Sequence, residues 1–465
     1  MVALPTILEQ FAFKVLTDGG EYGPEKGVDF SGKHPTSVLC DKDQVNMQVA
    51  NHVPARSPLL VIRHRPKHGS YMEIVQAYRF KARPTAAQAS LFRQTAGCCR
   101  TLYNAGLEQR TRAWRQQRRS LRYADQAAEL TELKEAFPWM KEAPSHCLQQ
   151  SLMDLGTAFS RFFTGKSGYP RFKKKGVGDS FRFPDKNQIT LLPARGEKGR
   201  VKLPKVGVLS FVQHRAPQGE IRNVTLTREA DGWYISICTM REVNAPEPPS
   251  GEPIGIDLGV TNTVTISGGR GRLKCPGAMA GERKRLVRLQ KKLARQQKRS
   301  RSRQDTKDKI ARLYLRLKRR RSDFLHKLTH NLAKNHGVVV VEGLKVRSMT
   351  ASARGTRENP GTRVRQKAGL NRAILEQGWG EFRRQLKYKM AWRGGEYVAL
   401  KDVAGTSREC PECEHAVAGN RPSQAVFLCV NCGYAAHADD NAANNILARG
   451  LRVTAGGAFA QAGGP

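Results

Sequence analysis

The 465-residue sequence contains no apolar run of the roughly 18 residues that a transmembrane helix needs, which excludes a protein that spans a membrane with helices. Its N-terminus lacks a basic stretch followed by about 7–15 apolar residues and a small-residue cleavage site, so a secreted protein is not expected. Acidic residues are scarce, since 40 Asp and Glu face 80 Lys and Arg, and the formal net charge is +40. Such an imbalance opposes compaction unless a polyanion binds, so the composition predicts a nucleic-acid partner.

Residues 1–71 differ from the rest of the chain in charge, because they contain 8 Lys and Arg against 7 Asp and Glu. The remaining 394 residues therefore carry a net charge of +39. A strand-like alternation of apolar and polar residues begins at Met72. We expect residues 1–71 to be a poorly ordered leader that the functional protein can lack, with Met72 as the functional start. The alternative is a small accessory element.

The rest of the chain divides into two halves at a proline-rich linker, residues 245–251. Before the linker, helical patterns recur over 85–165 and strand-like runs follow over 180–237. After the linker, residues 283–321 contain 19 Lys and Arg and only two acids. Leucines three or four positions apart in this segment predict a pair of basic helices, which would repel one another unless phosphates lie against them.

Three acidic residues lie at the ends of apolar elements. Asp257 lies in the strand-like run Ile254–Val260, Glu342 follows four consecutive valines, and Asp439 opens a predicted helix. Each has an ordinary structural explanation: a buried hydrogen bond for Asp257, a solvated strand end for Glu342, and helix capping for Asp439 or Asp440. Taken together they match the three-carboxylate site of RNase H-like nucleases, in which two Mg²⁺ ions are held by hard oxygen ligands.

Four of the ten cysteines form two CxxC pairs separated by fifteen residues, namely Cys410, Cys413, Cys429 and Cys432. Four thiolates at two such turns predict a closed tetrahedral Zn²⁺ site, which is structural because no coordination position stays open. Disulfides are a weaker explanation, since nothing indicates secretion. The remaining cysteines lack ligand spacing and are expected to be plain thiols: Cys40, Cys98, Cys99, Cys147, Cys238 and Cys275.

Over about residues 72–450 the sequence resembles the TnpB family of insertion-sequence-encoded RNA-guided endonucleases, and their relatives, the miniature type V CRISPR effectors. The resemblance depends on several separated blocks, among them the GYPRFKK segment at 168–174, the GIDLG segment at 255–259 and the DDNAA segment at 439–443. In the family the last catalytic Asp stands two positions before the Asn of this final motif, which here is Asp439 rather than Asp440. The family often has an acid or Arg spacer between the His and this motif, whereas here only Ala438 lies between His437 and the motif.

The resemblance implies an α+β multidomain fold. A β-barrel wedge domain (72–84 and 166–250) would carry an inserted helical recognition domain (85–165). An RNase H-like, or RuvC, α/β nuclease domain (251–404 and 435–450, with basic helices at 282–336) would contain an inserted zinc ribbon (405–434), followed by a flexible tail at 451–465. The protein would be cytoplasmic and nucleoid-associated in a prokaryote.

The implied activity is Mg²⁺-dependent cutting of target double-stranded DNA next to a short duplex motif, directed by a guide RNA. The implied catalytic residues and Mg²⁺ ligands are Asp257, Glu342 and Asp439. The implied nucleic-acid contacts are Tyr123, Gln149, Arg171, Lys173, Lys174, Arg285, Lys292 and Arg319. In such proteins base pairing chooses the target, and the protein tracks phosphates.

Three other functions stay open. The protein could bind DNA under RNA guidance without cutting, although all three acids are present. It could be a transposase or junction resolvase that acts without RNA on the same fold. A structural zinc-ribbon protein of the ribosome or transcription apparatus would leave the carboxylates unexplained. The sequence also leaves open the source of the guide RNA, the short motif and the oligomeric state.

Overall fold

The computed structural model describes residues 3, 4, 6, 7, 71–401 and 403–462, with side chains described through 454. Most of the expected leader, 1–71, therefore lies outside the described residues, and its expected disorder stays a prediction. The chain forms two compact units, one containing Glu73–Glu242 and the other the chain from Val243 onward. Within the described part of the chain, no helix is both long and apolar enough to cross a bilayer.

The first unit contains a seven-stranded sheet in the order β2-β6-β7-β1-β5-β4-β3. Its strands are β1 (Tyr71–Arg83), β2 (Ser180–Phe183), β3 (Thr190–Arg195), β4 (Lys198–Leu203), β5 (Gly207–Val212), β6 (Glu220–Glu229) and β7 (Gly232–Asn244). The pairs β1–β5, β2–β6, β3–β4, β4–β5 and β6–β7 are antiparallel. Buried and partly exposed residues alternate along β2 and β4, as expected for strands with one face on a core.

Four helices are inserted between β1 and β2, as the helical periodicity predicts: α1 (Ala86–Gln117), α2 (Tyr123–Ala128), α3 (Leu130–Ala136) and α4 (Ser145–Phe163). Helix α1 begins with a capping box, in which Thr85 and Gln88 exchange side-chain and backbone hydrogen bonds of 3.1 and 3.2 Å. Near the N-terminus, Leu4 and Ile7 are fully buried in the apolar core of this unit. The Leu4 N–H donates a 2.6 Å hydrogen bond to the Glu129 carboxylate.

The second unit contains a five-stranded sheet in the order β10-β9-β8-β11-β12. Its strands are β8 (Ile254–Asp257), β9 (Val264–Ile266), β10 (Gly271–Leu273), β11 (Val338–Glu342) and β12 (Glu396–Leu400). Strands β8, β11 and β12 are parallel, whereas β9 pairs antiparallel with β8 and β10. The four-valine strand is central and buried, as expected, but the strand predicted over 254–260 ends at Asp257. Its last residues instead form a turn around Gly259, where a Cβ would lie 2.7 Å from the Asn262 carbonyl oxygen.

The predicted pair of basic helices is confirmed as α5 (Ala280–Arg295) and α6 (Arg301–Asn335). The other helices of this unit are α7 (Val346–Met349), α8 (Val364–Gln377), α9 (Trp379–Ala391) and α10 (Ala438–Ala462), and β13 (Val426–Leu428) and β14 (Ala435–His437) form a small hairpin before α10. Helix α10 continues to Ala462, whereas we expected a flexible tail after residue 450. No proline interrupts this segment. Gly450 lies so close to the sheet that a Cβ there would meet a Val340 methyl at 2.3 Å.

Candidate active site and metal centre

The three predicted carboxylates line one cleft of about 450 Å³ in the second unit. Asp257 is the last residue of β8 and Glu342 is the last residue of β11. Because these strands are parallel neighbours, both side chains lie at the same edge of the sheet. Asp439 belongs to the first turn of α10, which packs against β8 so closely that a Cβ on Gly255 would lie 2.2 Å from a helix carbonyl oxygen.

Burial and mutual repulsion disfavour the charged forms of two of these acids. The pKa of Asp257 is raised to about 7, first by desolvation and then by the charge of Asp439, against a smaller opposing effect of Arg421. The pKa of Glu342, which is 8% exposed, is also raised to about 7 by desolvation and by the charge of Asp257. Negative charge on these two acids is therefore disfavoured, because the described residues compensate it only in part.

Asp439 is held by side chains from other segments of the unit. The Asn262 amide donates a 3.0 Å hydrogen bond to its Oδ2, and the Arg421 guanidinium lies 3.8 Å from its Oδ1. Its own backbone N–H donates to Nδ1 of His437 at 3.2 Å. Asp440 does not line the cleft; its carboxylate pairs with Arg272. The geometry thus separates the two adjacent aspartates, one in the cleft and one in a structural ion pair.

The donor chemistry of the cleft fits a hard divalent cation, because the cleft offers carboxylate oxygens, and burial destabilises the charged forms of Asp257 and Glu342. The three carboxylates are nevertheless not drawn into a tight cluster. Among the described residues, the single group of three or more His, Cys, Asp or Glu ligand atoms that all lie within 4.8 Å of one another is elsewhere, at the four predicted cysteines.

The four cysteines form a compact centre that could hold a metal ion. The Sγ atoms of Cys410 and Cys432 are 3.5 Å apart, as are those of Cys413 and Cys429. Each CxxC turn is closed by a residue in the left-handed region, Gly433 (φ 77°) in the second turn and Glu414 (φ 58°) in the first. Four soft thiolates at tetrahedral spacing are suited to Zn²⁺.

Helix α10 is tied directly to the cysteine-rich segment. Asn441 and Asn445, one helical turn apart and both buried, each donate a hydrogen bond to the Glu409 carbonyl oxygen, at 3.0 and 2.8 Å. Asn445 also donates to the Thr406 carbonyl oxygen at 2.8 Å. The helix that carries Asp439 is therefore hydrogen-bonded to the chain just before Cys410, which connects the cysteine centre to the cleft.

The predicted nucleic-acid contacts do not form one cluster. Tyr123 begins α2 and packs against the core of the first unit, and Gln149 is partly buried on α4. Exposed basic side chains occur in the segment after α4 and on the basic helices: Arg171, Lys173, Lys174, Arg285, Lys292 and Arg319. The two basic helices are joined by a bidentate pair between Glu282 and Arg320, with both distances 2.9 Å.

The two cleft side chains that pair with the Asp439 carboxylate, Asn262 and Arg421, were missed by the sequence analysis. Asn262 follows Asp257 by five positions on the adjoining loop, so its place after a strand-borne acid was a usable signal. Arg421 comes from the cysteine-rich segment, and nothing in its local sequence distinguishes it from the many other arginines. Both are brought to Asp439 by the fold.

Comparison with known proteins gives three family matches. Residues 236–353 match a model named OrfB_IS605 and described as "Probable transposase", and residues 379–446 match one described as "Cas12f1-like, TNB domain". Residues 72–119 match one described as "Helix-turn-helix domain", although here they form β1 and the single long helix α1.

The chain is 41% identical over 396 residues to "Putative RNA-guided DNA endonuclease InsQ" of Escherichia coli (strain K12), a match that covers 85% of this chain and 97% of that protein. It is 33% identical over 391 residues to "Putative RNA-guided DNA endonuclease" of Streptomyces pristinaespiralis, covering 83% and 92%. A solved structure, "Cryo-EM structure of the Cas12f1-sgRNA-target DNA complex", matches 78% of this chain and 83% of that chain at 13% identity, with a TM-score of 0.49.

Proposed function

The chain belongs to the OrfB, or TnpB, family of insertion-sequence proteins, and from this premise we propose that it is an RNA-guided endonuclease that cuts double-stranded DNA. The relatives from Escherichia coli and Streptomyces pristinaespiralis carry names of RNA-guided DNA endonucleases, and we extend that activity to this chain. The net charge of +40 supports the extension, because a guide RNA and a DNA target both present many phosphates.

The observation that carries the proposal is the cleft lined by Asp257, Glu342 and Asp439. Buried acids with pKa values raised to about 7 are stabilised when a cation binds beside them. We therefore propose that these three residues are the catalytic residues and Mg²⁺ ligands of a single RuvC-like site. Two Mg²⁺ ions held there would supply a water nucleophile of lowered pKa and stabilise the leaving 3′ oxygen.

The other residues of the cleft would orient the carboxylates and the DNA strand. Asn262 donates a hydrogen bond to Oδ2 of Asp439 and so fixes the rotation of this carboxylate. Arg421 lies on the Oδ1 side, where its guanidinium is placed to hold a phosphate oxygen of the bound strand. The four cysteines would bind one structural Zn²⁺ and, through Asn441 and Asn445, keep the Asp439 helix in position.

We propose the following division of the chain. Residues 72–84 and 166–250, which contain the seven-stranded sheet, would form the wedge β-barrel. The helices at 85–165 would be the recognition domain, in which Tyr123 and Gln149 read the short duplex motif beside the target. In the second unit, 251–404 and 435–450 form the RuvC-like domain and 405–434 the zinc ribbon. The exposed basic side chains of α5 and α6, including Arg285, Lys292 and Arg319, would follow the backbone of the RNA–DNA heteroduplex.

The two adjacent aspartates provide a matched test. Asp439→Ala removes a proposed metal ligand, so cutting should fall by about 10³-fold or more, since metal-bound charge stabilisation is worth several kcal/mol. Asp440→Ala removes the partner of Arg272 outside the cleft and should leave most of the activity. Asp257→Ala should behave like Asp439→Ala and keep the affinity for target DNA.

The assay is cleavage of a plasmid target by protein co-expressed with its native flanking DNA, with binding measured in parallel. Wild-type cutting rates for Asp439→Ala and Asp257→Ala would contradict the assigned site. Cleavage by RNA-free protein, or joining of DNA ends, would instead indicate a guide-independent transposase or resolvase. Tight RNA-directed binding with no Mg²⁺-dependent cutting would indicate a binding protein.

A further inference from the structure

Four aromatic rings form a cluster at the C-terminal end of α4. Phe163 contacts Phe159 and Phe162 with ring centroids 6.1 and 5.3 Å apart, and Tyr169 contacts the same two rings edge-on at 5.6 and 5.3 Å. Phe163 is 77% exposed, more than any other large apolar side chain in the described part of the chain. One ring of an otherwise packed cluster is thus presented to solvent.

Contacts with α1 hold the aromatic cluster in place. The Tyr169 hydroxyl forms a 2.9 Å hydrogen bond with Oγ1 of Thr111 on α1, and the Arg110 guanidinium lies 5.4 Å from the centre of the Phe159 ring. Helix α4 ends cleanly after Phe163, because Gly165 adopts a left-handed φ of 66° and the next N–H returns to the Arg161 carbonyl oxygen at 2.9 Å. A preorganised aromatic surface loses little entropy when a flat ligand stacks on it.

The segment around the cluster is strongly basic. Residues 155–178 contain six Lys and Arg and no Asp or Glu, and Lys166, Arg171, Lys174 and Lys175 are exposed. This segment is also held in place, since the Asn104 side chain both donates to and accepts from the backbone of Lys173, at 3.0 and 2.8 Å. Exposed cations beside an exposed ring are the combination that binds a single-stranded nucleic acid, with phosphates on the cations and a base on the ring.

We propose that Phe163 is a stacking platform for an unpaired base of the guide RNA, whose neighbouring phosphates lie on the basic residues 166–175. RNA is the favoured partner because its loops and bulges keep bases permanently unstacked, whereas duplex DNA presents them only after opening. The identity of the partner as guide RNA rests on the proposed function. The stacking itself requires only that the protein binds single-stranded RNA.

The test uses full-length protein and a single-stranded RNA with 2-aminopurine at alternate positions, whose fluorescence falls when the base stacks. Phe163→Ala should remove the quenching on binding and weaken the Kd roughly 5- to 140-fold, the range for loss of one stacked base. Phe163→Trp should preserve both signals. Phe163→Leu separates stacking from apolarity, because it keeps an apolar side chain and should behave like Phe163→Ala.

Three controls make the result specific. Met153→Ala, on the same helix and 47% exposed, should bind RNA like the wild type. A fully paired RNA duplex should bind Phe163→Ala and wild-type protein equally. Because Phe163 is uncharged, its loss should leave the slope of log affinity against log salt unchanged, whereas Lys174→Gln should reduce that slope by about 0.7.

Wild-type affinity and quenching for Phe163→Ala, with melting temperature unchanged, would refute the platform and leave the endonuclease proposal intact. The same loss for single-stranded DNA as for RNA would overturn the assignment to RNA. If wild-type protein binds none of the RNA probes, the proposed RNA-guided function fails together with the platform.

Discussion

The carboxylate cleft and the cysteine centre are both groups of side chains that could bind a metal ion, but they are assembled over very different distances along the chain. Cys410 and Cys432 are 22 positions apart, and their Sγ atoms already lie 3.5 Å from each other. Asn262 and Asp439, which hydrogen-bond in the cleft, are 177 positions apart. The cysteine centre is therefore a local structure that a metal ion can organise, whereas the cleft exists only when the whole second unit is folded.

The difference also concerns charge. In the cleft the fold forces acids together against desolvation and repulsion, which raises the pKa of Asp257 and of Glu342 to about 7. This repulsion is a cost that the rest of the second unit must offset in the absence of a cation. The two regions therefore differ in that the fold holds the cleft acids together against their repulsion, whereas the cysteines lie close together in the chain.

The strongest test of this comparison is to remove one of the four clustered cysteines. Cys429→Ser should lower the zinc content from about one ion per chain to well below one, because metal-binding energy is folding energy in such modules. Cutting should fall by about 10-fold or more, since Asn441 and Asn445 lose their fixed partner at Glu409.

Elemental analysis and the plasmid assay measure the two effects of Cys429→Ser. Cys238→Ser, which changes a buried thiol of the first unit, is the matched control and should retain zinc. Full cutting by zinc-free Cys429→Ser protein would show that the cleft does not depend on the cysteine centre.

The sequence predicted the local features well and the long-range ones incompletely. The helical pattern that begins near residue 85, the valine strand that ends at Glu342, and the two CxxC turns depend on neighbouring residues, so short patterns were sufficient to find them. Their roles in catalysis and zinc binding stay predictions. The end of β8 at Asp257 depends on the turn that follows, which an apolar run conceals.

Contacts between distant segments could not be read from spacing. The pairing of Asn262 with Asp439, and the approach of Arg421, require the topology that brings the cysteine-rich segment to the edge of the sheet. The same limit applies to α10, because its close approach to Val340 occurs at Gly450, the boundary at which the sequence predicted a flexible tail.

The raised pKa values of Asp257 and Glu342 should make the stability of the metal-free protein depend on pH. The pKa of Asp257 rises from 3.8 to about 7 on folding and that of Glu342 from 4.5 to about 7, so the folded state binds more protons than the unfolded state between about pH 4 and pH 7. Stability should therefore be highest at or below about pH 4 as far as these groups are concerned. The stability that these two groups contribute should fall as pH rises from about 4 through about 7, by on the order of a few kcal/mol.

This dependence can be measured as the thermal midpoint in magnesium-free buffer, without a chelator that would also remove zinc. Asp257→Asn should flatten the curve, and added Mg²⁺ should restore stability near pH 8 in the wild type but less in Asp257→Asn. A Tm that stays level from about pH 5 to 8 without Mg²⁺ would contradict the interpretation that the charged cleft acids destabilise the folded protein.

A smaller change should weaken only the connection between the two regions. Asn445→Ala removes one buried and one partly buried hydrogen bond, to the carbonyl oxygens of Thr406 and Glu409, at an expected cost of about 1–3 kcal/mol in the free energy of unfolding. Zinc should stay bound, while cutting should fall less than in Cys429→Ser. Asn444→Ala is the matched control, because Asn444 bonds to Gly268 and not to the cysteine-rich segment. Loss of zinc from Asn445→Ala would mean that the anchor is part of the metal centre itself.

The smallest expected effect lies within the cysteine centre, whose two CxxC turns differ at one position. Gly433 closes the second turn with φ 77°, at no steric cost, whereas Glu414 closes the first with φ 58°, a conformation that costs an ordinary residue about 1–2 kcal/mol. Glu414→Gly should therefore stabilise the ribbon by about 0.5–1 kcal/mol, after the larger entropy of glycine in the unfolded chain is subtracted.

The substitution also removes an ion pair with Arg452, but both side chains are about 70% exposed, so little is lost. The measurement is the rate at which a chelator removes zinc, and we expect this rate to be slower for Glu414→Gly than for the wild type. Glu412→Gly, in the same turn, is the control. Cutting should not change, because a more stable support leaves the cleft as it is. Faster zinc release would show that Glu414 holds the first turn through its side chain, and the two turns would then be alike in backbone but not in what stabilises them.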